Sequence, residues 1–174
     1  MNPGFDKEVR SLLESHVRAR GFRKRGPSWH FDAGETLRVI HIQRARFLPT
    51  FFVNLGVLLK KVEPDVIPKY TADCHLDAGV NDCVSPTYLK RWGNALDFES
   101  GLSLAERDEI FSDGFLSADR FFREFDSEHA ILELARKPRS ERKGGPLVWW
   151  PLLEYVGIKR RGPSDPDFDP QWGP

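Results

Sequence analysis

Phe51-Phe52-Val53-Asn54-Leu55-Gly56-Val57-Leu58-Leu59 is the longest apolar run in the chain. It is too short for a buried helix with its caps, and it is rich in β-branched and aromatic residues, so it reads as a strand. Both alternating faces are apolar, which places it centrally in a sheet and under a helix. In that alternation Asn54 joins Phe52 and Gly56 on one face. If that face is covered, the Asn54 amide must be hydrogen-bonded.

Working outward, Leu37-Arg38-Val39-Ile40-His41-Ile42-Gln43-Arg44 is a second strand. Leu37, Val39, His41 and Gln43 share one side; Arg38, Ile40, Ile42 and Arg44 share the other. Ser28 to Asp32 reads as a strand before it, with Ala33-Gly34-Glu35 as the hairpin turn. Short links between consecutive strands favour an antiparallel meander. Phe5, Val9, Leu12, Leu13 and Val17 recur at helical spacing ahead of the sheet, and Gly21 ends that helix. Arg23-Lys24-Arg25-Gly26-Pro27 reads as a basic turn.

Pro64, Pro68, Gly79, Pro86 and Gly93 punctuate residues 62–100, so long elements are not expected there, and Cys74 to Asp77 reads as a short strand. Ser103-Leu104-Ala105-Glu106 has capping-box spacing and opens a helix expected to stop near Gly114. Ser117 is a candidate cap for a further helix carrying Phe121, Phe122 and Phe125, and Ser127 to Lys137 continues helically. Pro151 fits the first turn of a helix ending at Gly157. The expected fold is α+β: an antiparallel sheet of three to five strands, an N-terminal helix, and C-terminal helices packed on one face. Residues 1–158 form one domain in this reading, and the Pro/Gly/Asp-rich residues 159–174 form a flexible tail.

An order of four short motifs carries a resemblance. A helix ends in Gly21-Phe22-Arg23-Lys24-Arg25-Gly26. Val39-Ile40-His41-Ile42-Gln43-Arg44 follows, then Phe52-Val53-Asn54-Leu55-Gly56-Val57, then Asp73-Cys74-His75-Leu76. Over roughly residues 5–135 the chain resembles the bacterial domain-of-unknown-function family 4304. The resemblance implies a small α+β domain and carries over no catalytic residue.

The 174 residues carry no net charge, but the charge is unevenly placed. Residues 1–61 have twelve basic against five acidic groups, and residues 62–135 have six against sixteen. Either two oppositely charged surfaces steer partners, or the two regions lie together and neutralise each other. No apolar run approaches bilayer-spanning length, so no membrane association is expected. The opening residues lack a basic region followed by an apolar stretch, which reads as no export signal, a cytoplasmic location, and reduced thiols at Cys74 and Cys83.

Chemistry is sparsely marked. His41, Cys74, His75 and Cys83, with His30 in reserve, are candidate zinc ligands or a thiol–histidine pair, but their spacing matches no knuckle, and adjacent Cys74 and His75 on a strand point to opposite faces. Cys74 is expected buried and His75 near the surface. Glu106, Asp108, Glu109 and Asp113 scatter around their helix as solvated acids do rather than converging on Mg²⁺. Nucleotide-binding glycine loops are missing, and no cofactor is expected. Arg20, Arg23, Lys24 and Arg25, with Arg139, Arg142 and Lys143, are candidate phosphate contacts for a nucleic acid. Trp149, Trp150 and Tyr155 are candidate anchors for a protein partner. The expected function is a non-catalytic domain that binds another protein, an immunity or defence-associated protein being one form of it. The alternatives are a nucleic-acid-binding module and a metal- or thiol-dependent enzyme.

Overall fold

The structure is a computed structural model that describes residues 4–137 and 147–157, the Trp150 side chain aside. The basic run 139–143 and the tail from residue 159 lie outside the described residues. In chain order the elements are α1 (Phe5–Ala19), β1 (Arg23–Arg25), β2 (Ser28–Asp32), β3 (Thr36–Arg44), β4 (Phe51–Leu59), a 3-10 turn (Thr71–Asp73), β5 (Leu76–Gly79), α2 (Val80–Cys83), α3 (Pro86–Leu96), α4 (Leu104–Glu124), α5 (Glu128–Arg136), β6 (Leu147–Val148) and α6 (Trp150–Tyr155).

The fold class is α+β, as expected, but the sheet has six strands rather than three to five, in the order β1-β2-β3-β4-β5-β6 with every neighbouring pair antiparallel. The two extra strands are the edges. β1 is the basic segment read as a turn; three consecutive cations show no alternation, and all three are exposed. The turn itself is Gly26-Pro27: Arg25 pairs with Ser28, and Gly26 has φ +63°, the sign a two-residue hairpin turn needs at its first position. Charged side chains on an edge strand also discourage pairing with another chain. β6 has two residues, too few to show a period.

β3 and β4 form the longest ladder, from Thr36↔Leu59 to Arg44↔Phe51. Their shared register puts Ile40, Ile42, Val53, Leu55 and Val57 on one face. Val9, Leu13 and Val17 of α1 and Phe111, Phe115, Ala118 and Phe122 of α4 join those residues in a single core. The apolar stripe of α1 is what the 3.6-residue period gives, and Gly21 closes it at φ +82°.

α4 runs unbroken for 21 residues through Gly114, so the expected stop there is wrong. A Cβ on Gly114 would lie 2.2 Å from Cζ3 of the buried Trp92 of α3. This glycine serves close helix packing, not termination. Ser117 is accordingly a buried mid-helix residue that accepts a hydrogen bond from Arg120, not a cap. α3 itself corrects the expectation that residues 62–100 lack long elements: Pro86 starts it at the first turn, where the missing N–H costs nothing.

The charge imbalance is partly cancelled where α1 meets α4. Arg20 Nε donates to both carboxylate oxygens of Asp119 at 3.0 and 3.1 Å, and His16 Nε2 lies 2.8 Å from an Asp108 oxygen. Lys61 reaches Glu128 at 2.7 Å.

Candidate functional site

The opposite face of the sheet carries Arg23 and Arg25 of β1, Ser28 and His30 of β2, Val39, His41 and Gln43 of β3, Phe52, Asn54, Gly56 and Leu58 of β4, and Asp77 of β5. The segment after β4 folds back over one half of it. Cys74 packs there with Val39 and Leu58, and a Cβ on Gly56 would come within 2.6 Å of the Cys74 Sγ and 3.1 Å of the Thr71 Cα. Gly56 is therefore small because backbone crosses above it. This explains why β4 is apolar on both faces: helices cover one side, and the chain's own loop covers part of the other.

Beyond the loop, around Gln43, Phe52 and Asn54, this face is open, and the polar groups along the border are ordered. The Asp73 carboxylate accepts from the Lys69 and Tyr70 amides at 2.9 and 2.8 Å. Ser28, fully buried, donates its hydroxyl proton to the Lys69 carbonyl at 2.7 Å. Its oxygen also lies 3.1 Å from His41 Nδ1. A hydroxyl has one proton, so the His41 contact requires Nδ1–H to donate. That favours the Nδ1–H tautomer, with the Pro27 carbonyl a further acceptor beside the ring. Burial also depresses the His41 pKa, which favours the same neutral ring. The Tyr70 ring stands edge-on to His41, with centroids 5.1 Å apart. The side-chain amide of Asn54, half-buried and directly opposite His41, has no hydrogen-bond partner among the described residues. The condition for a satisfied Asn54 amide, a covered face, is not met: Asn54 stands at the border of the open part.

His30, on the same face but under the loop, is buried, and neither ring nitrogen completes a hydrogen bond among the described residues. Burial, aided by the Arg25 cation, holds it neutral.

The candidate metal and thiol residues do not converge. Cys74 lies against Gly56, and burial drives its pKa far above the ordinary thiol range. Cys83 ends α2, points at the Gly79 carbonyl, and is pushed by burial up to about 11. Both are thiols, not thiolates, near neutral pH. His75 is 1 % exposed, against the expectation of a surface position. Its Nδ1 accepts the Leu59 amide at 2.9 Å, so Nε2 carries the proton that points to Glu63 at 2.8 Å. Its carbonyl accepts the Trp149 amide at 2.9 Å. His75 thus ties the end of β4, the loop after it and the β6 edge together. Among the described residues, no three His, Cys, Asp or Glu side chains are placed to share an ion.

The basic group near the end of α1 is divided by the fold. Arg20 is held by Asp119, and Lys24 by Glu14 at 3.1 Å on the helix side of the sheet. Arg23 and Arg25 project from the outer face. The aromatic candidates are also divided. Trp149 is half-buried at the β6 edge, and Tyr155 on α6 is exposed. Sequence reasoning missed Phe47 and Leu48, which are 86 % and 60 % exposed in the β3–β4 connection. Two large apolar residues in a loop were the available signal. Phe52, 40 % exposed on the outer face, lies towards the same end.

Together these features define an α+β domain with a six-stranded antiparallel sheet, one face packed by helices and the other open in part. The model of the family described as "Domain of unknown function (DUF4304)" matches residues 13–90. The resemblance drawn from the four motifs is borne out over that segment. The matched segment runs from the second half of α1 into α3 and contains His41, Asn54, Cys74 and His75. Neither a curated protein nor a solved structure matches the chain. No helix among the described residues is long and apolar enough to cross a membrane.

Proposed function

We propose that this chain is a non-catalytic domain that binds another protein, and that it docks through the apolar end of its outer sheet face. The observation that supports this reading is the pair Phe47 and Leu48 at the tip of the β3–β4 hairpin, left to solvent with Phe52 near by. An aromatic ring held out by a hairpin has little conformational entropy to lose, and burying it removes about 150–250 Å² from water. The Arg46 guanidinium, 5.1 Å above the Phe47 ring, adds a cation to this end, which suits a partner with an apolar cleft and an acidic rim. Tyr155 is a second candidate anchor on α6. The separation of Cys74, His75 and Cys83 into three environments favours binding over chemistry. An immunity or defence-associated protein is the form of this function we favour. In that case the partner is a toxin, whose gene is expected beside this one.

The test pairs recovery with measurement. The partner that co-purifies with the tagged chain is itself purified, and its affinity is compared for the wild type and the Phe47→Ser/Leu48→Ser variant. A central hot spot worth about 2 kcal/mol or more weakens binding roughly 30-fold or more. Equal affinities reject the docking surface. Recovery of no partner, alongside a reproducible turnover by the pure chain, rejects the function.

A further inference from the structure

The polar end of the outer face has a chemistry that the protein-binding reading does not use. With Nδ1–H donating to Ser28 and Ser28 to the Lys69 carbonyl, His41 Nε2 is the acceptor of the ring. Asn54 stands opposite it, with Cβ atoms about 5 Å apart in such a pair, and offers an amide donor and acceptor that no other described residue engages. The Tyr70 ring, 41 % exposed, stands beside them. Arg25 flanks Ser28 on the edge strand, and Arg23 follows it on the same face.

We propose that this end of the sheet is a binding site for single-stranded nucleic acid, in which a base lies against Tyr70 with its edge on Asn54 and His41, and the phosphates run along Arg25 and Arg23.

Each part of that ligand answers one feature. A base edge presents donors and acceptors side by side, which a carboxamide next to an imidazole acceptor can match. A base also has a flat face for an aromatic ring. Phosphates complement two exposed guanidinium groups on one edge, whose long side chains can follow a strand. A sheet surface, unlike an enclosed cavity, leaves room for a chain to pass. Four acids lie on or beside this face, and each is already engaged: Asp73 accepts from the Lys69 and Tyr70 amides, and Asp82 accepts from the Gly79 amide at 2.7 Å next to Asn54. Asp32 is held by Lys60, and the Asp77 carboxyl, whose pKa burial raises, lies with Thr71 at the covered half. The fold removes Arg20 and Lys24 from the expected phosphate contacts and keeps Arg23 and Arg25.

This site is separate from the Phe47–Leu48 tip and does not rest on the protein-binding reading. The test is fluorescence anisotropy of the whole chain with labelled single-stranded RNA and DNA of roughly 12 nucleotides, from about 25 to 150 mM salt. The expected result is binding that weakens with salt, with a log–log slope of about −1.4 for two phosphate contacts. Arg23→Ala/Arg25→Ala should flatten that slope. Asn54→Ala and Tyr70→Ala should each weaken binding about tenfold with the slope kept. Phe47→Ser/Leu48→Ser should bind as the wild type does. Circular dichroism melts of each variant confirm folding, and Asn54→Asp, which keeps the shape but adds a negative charge, should also lose binding. The proposal is overturned if no strand binds at the lowest salt. It is also overturned if the folded arginine variant keeps the full slope, if Asn54→Ala and Tyr70→Ala bind as the wild type does, or if only an acidic protein competes for Arg23 and Arg25.

Discussion

Replacing His75 with phenylalanine isolates the energetic role of one buried imidazole. The ring volume is nearly conserved, so little cavity forms. What changes is hydrogen bonding. The Leu59 amide, on a fully buried residue, loses its acceptor at 2.9 Å, and a buried orphan donor costs about 1–3 kcal/mol. The Glu63 carboxylate loses a donor at 2.8 Å, but it is about a third exposed, so water replaces most of that bond and we assign about 0.5–1 kcal/mol. The expected loss is about 1.5–4 kcal/mol, or roughly 3–16 °C in melting temperature for a chain of this size. Urea unfolding at pH 7.5 measures it.

The pH dependence gives an independent readout. Burial holds the folded-state pKa of His75 below the ordinary 6.5, with Glu63 opposing the shift. Unfolding therefore takes up a proton between the folded pKa and about 6.5. The His75 contribution is fully present above 6.5 and is lost as the pH falls through the folded pKa. The stability gap between wild type and His75→Phe should be widest above pH 7 and narrow towards pH 5. His75→Asn, which can offer an oxygen near the Nδ1 position, should recover part of the loss. A gap below about 0.5 kcal/mol at pH 7.5, or one that does not change with pH, refutes the reasoning.

Three further outcomes follow from the packing. Gly114→Ala forces a methyl into the Trp92 ring, so urea unfolding should show a loss of about 2–3 kcal/mol despite alanine's better helix propensity; a stabilised variant would contradict the close approach. Arg107, fully buried, donates to the carbonyls of Ala95, Asp97 and Leu102 and to Ser100 Oγ; Arg107→Lys cannot reach them all and should cost about 2–4 kcal/mol by thermal melting, whereas an unchanged melt would show the fork is dispensable. Cys74 and Cys83 should react with a thiol reagent at pH 8 at least roughly tenfold more slowly in the native chain than after denaturation, since burial keeps both protonated; equal rates would refute that account.

The local chemistry of the chain determined a good deal of this fold. The period of Val9, Leu13 and Val17 fixes α1, and the run Phe51–Leu59 fixes a central strand, because burial of alternate or every-third residues is a property of adjacent positions. The Ser103–Glu106 box marks the start of α4 for the same reason. Where a residue serves a distant neighbour, sequence spacing misleads. Gly114 resembled a stop and is a seat for Trp92; Arg23–Arg25 resembled a turn and is an edge strand held by its partner. The outer face is wholly of this second kind. Ser28, His41, Asn54 and Lys69 come together through strand register and a returning loop, and hydrogen bonds then decide which imidazole nitrogen keeps its lone pair. Periodicity encodes which side of an element is buried. It carries no information on which buried or open sides meet, because that is set by packing between segments far apart in the chain.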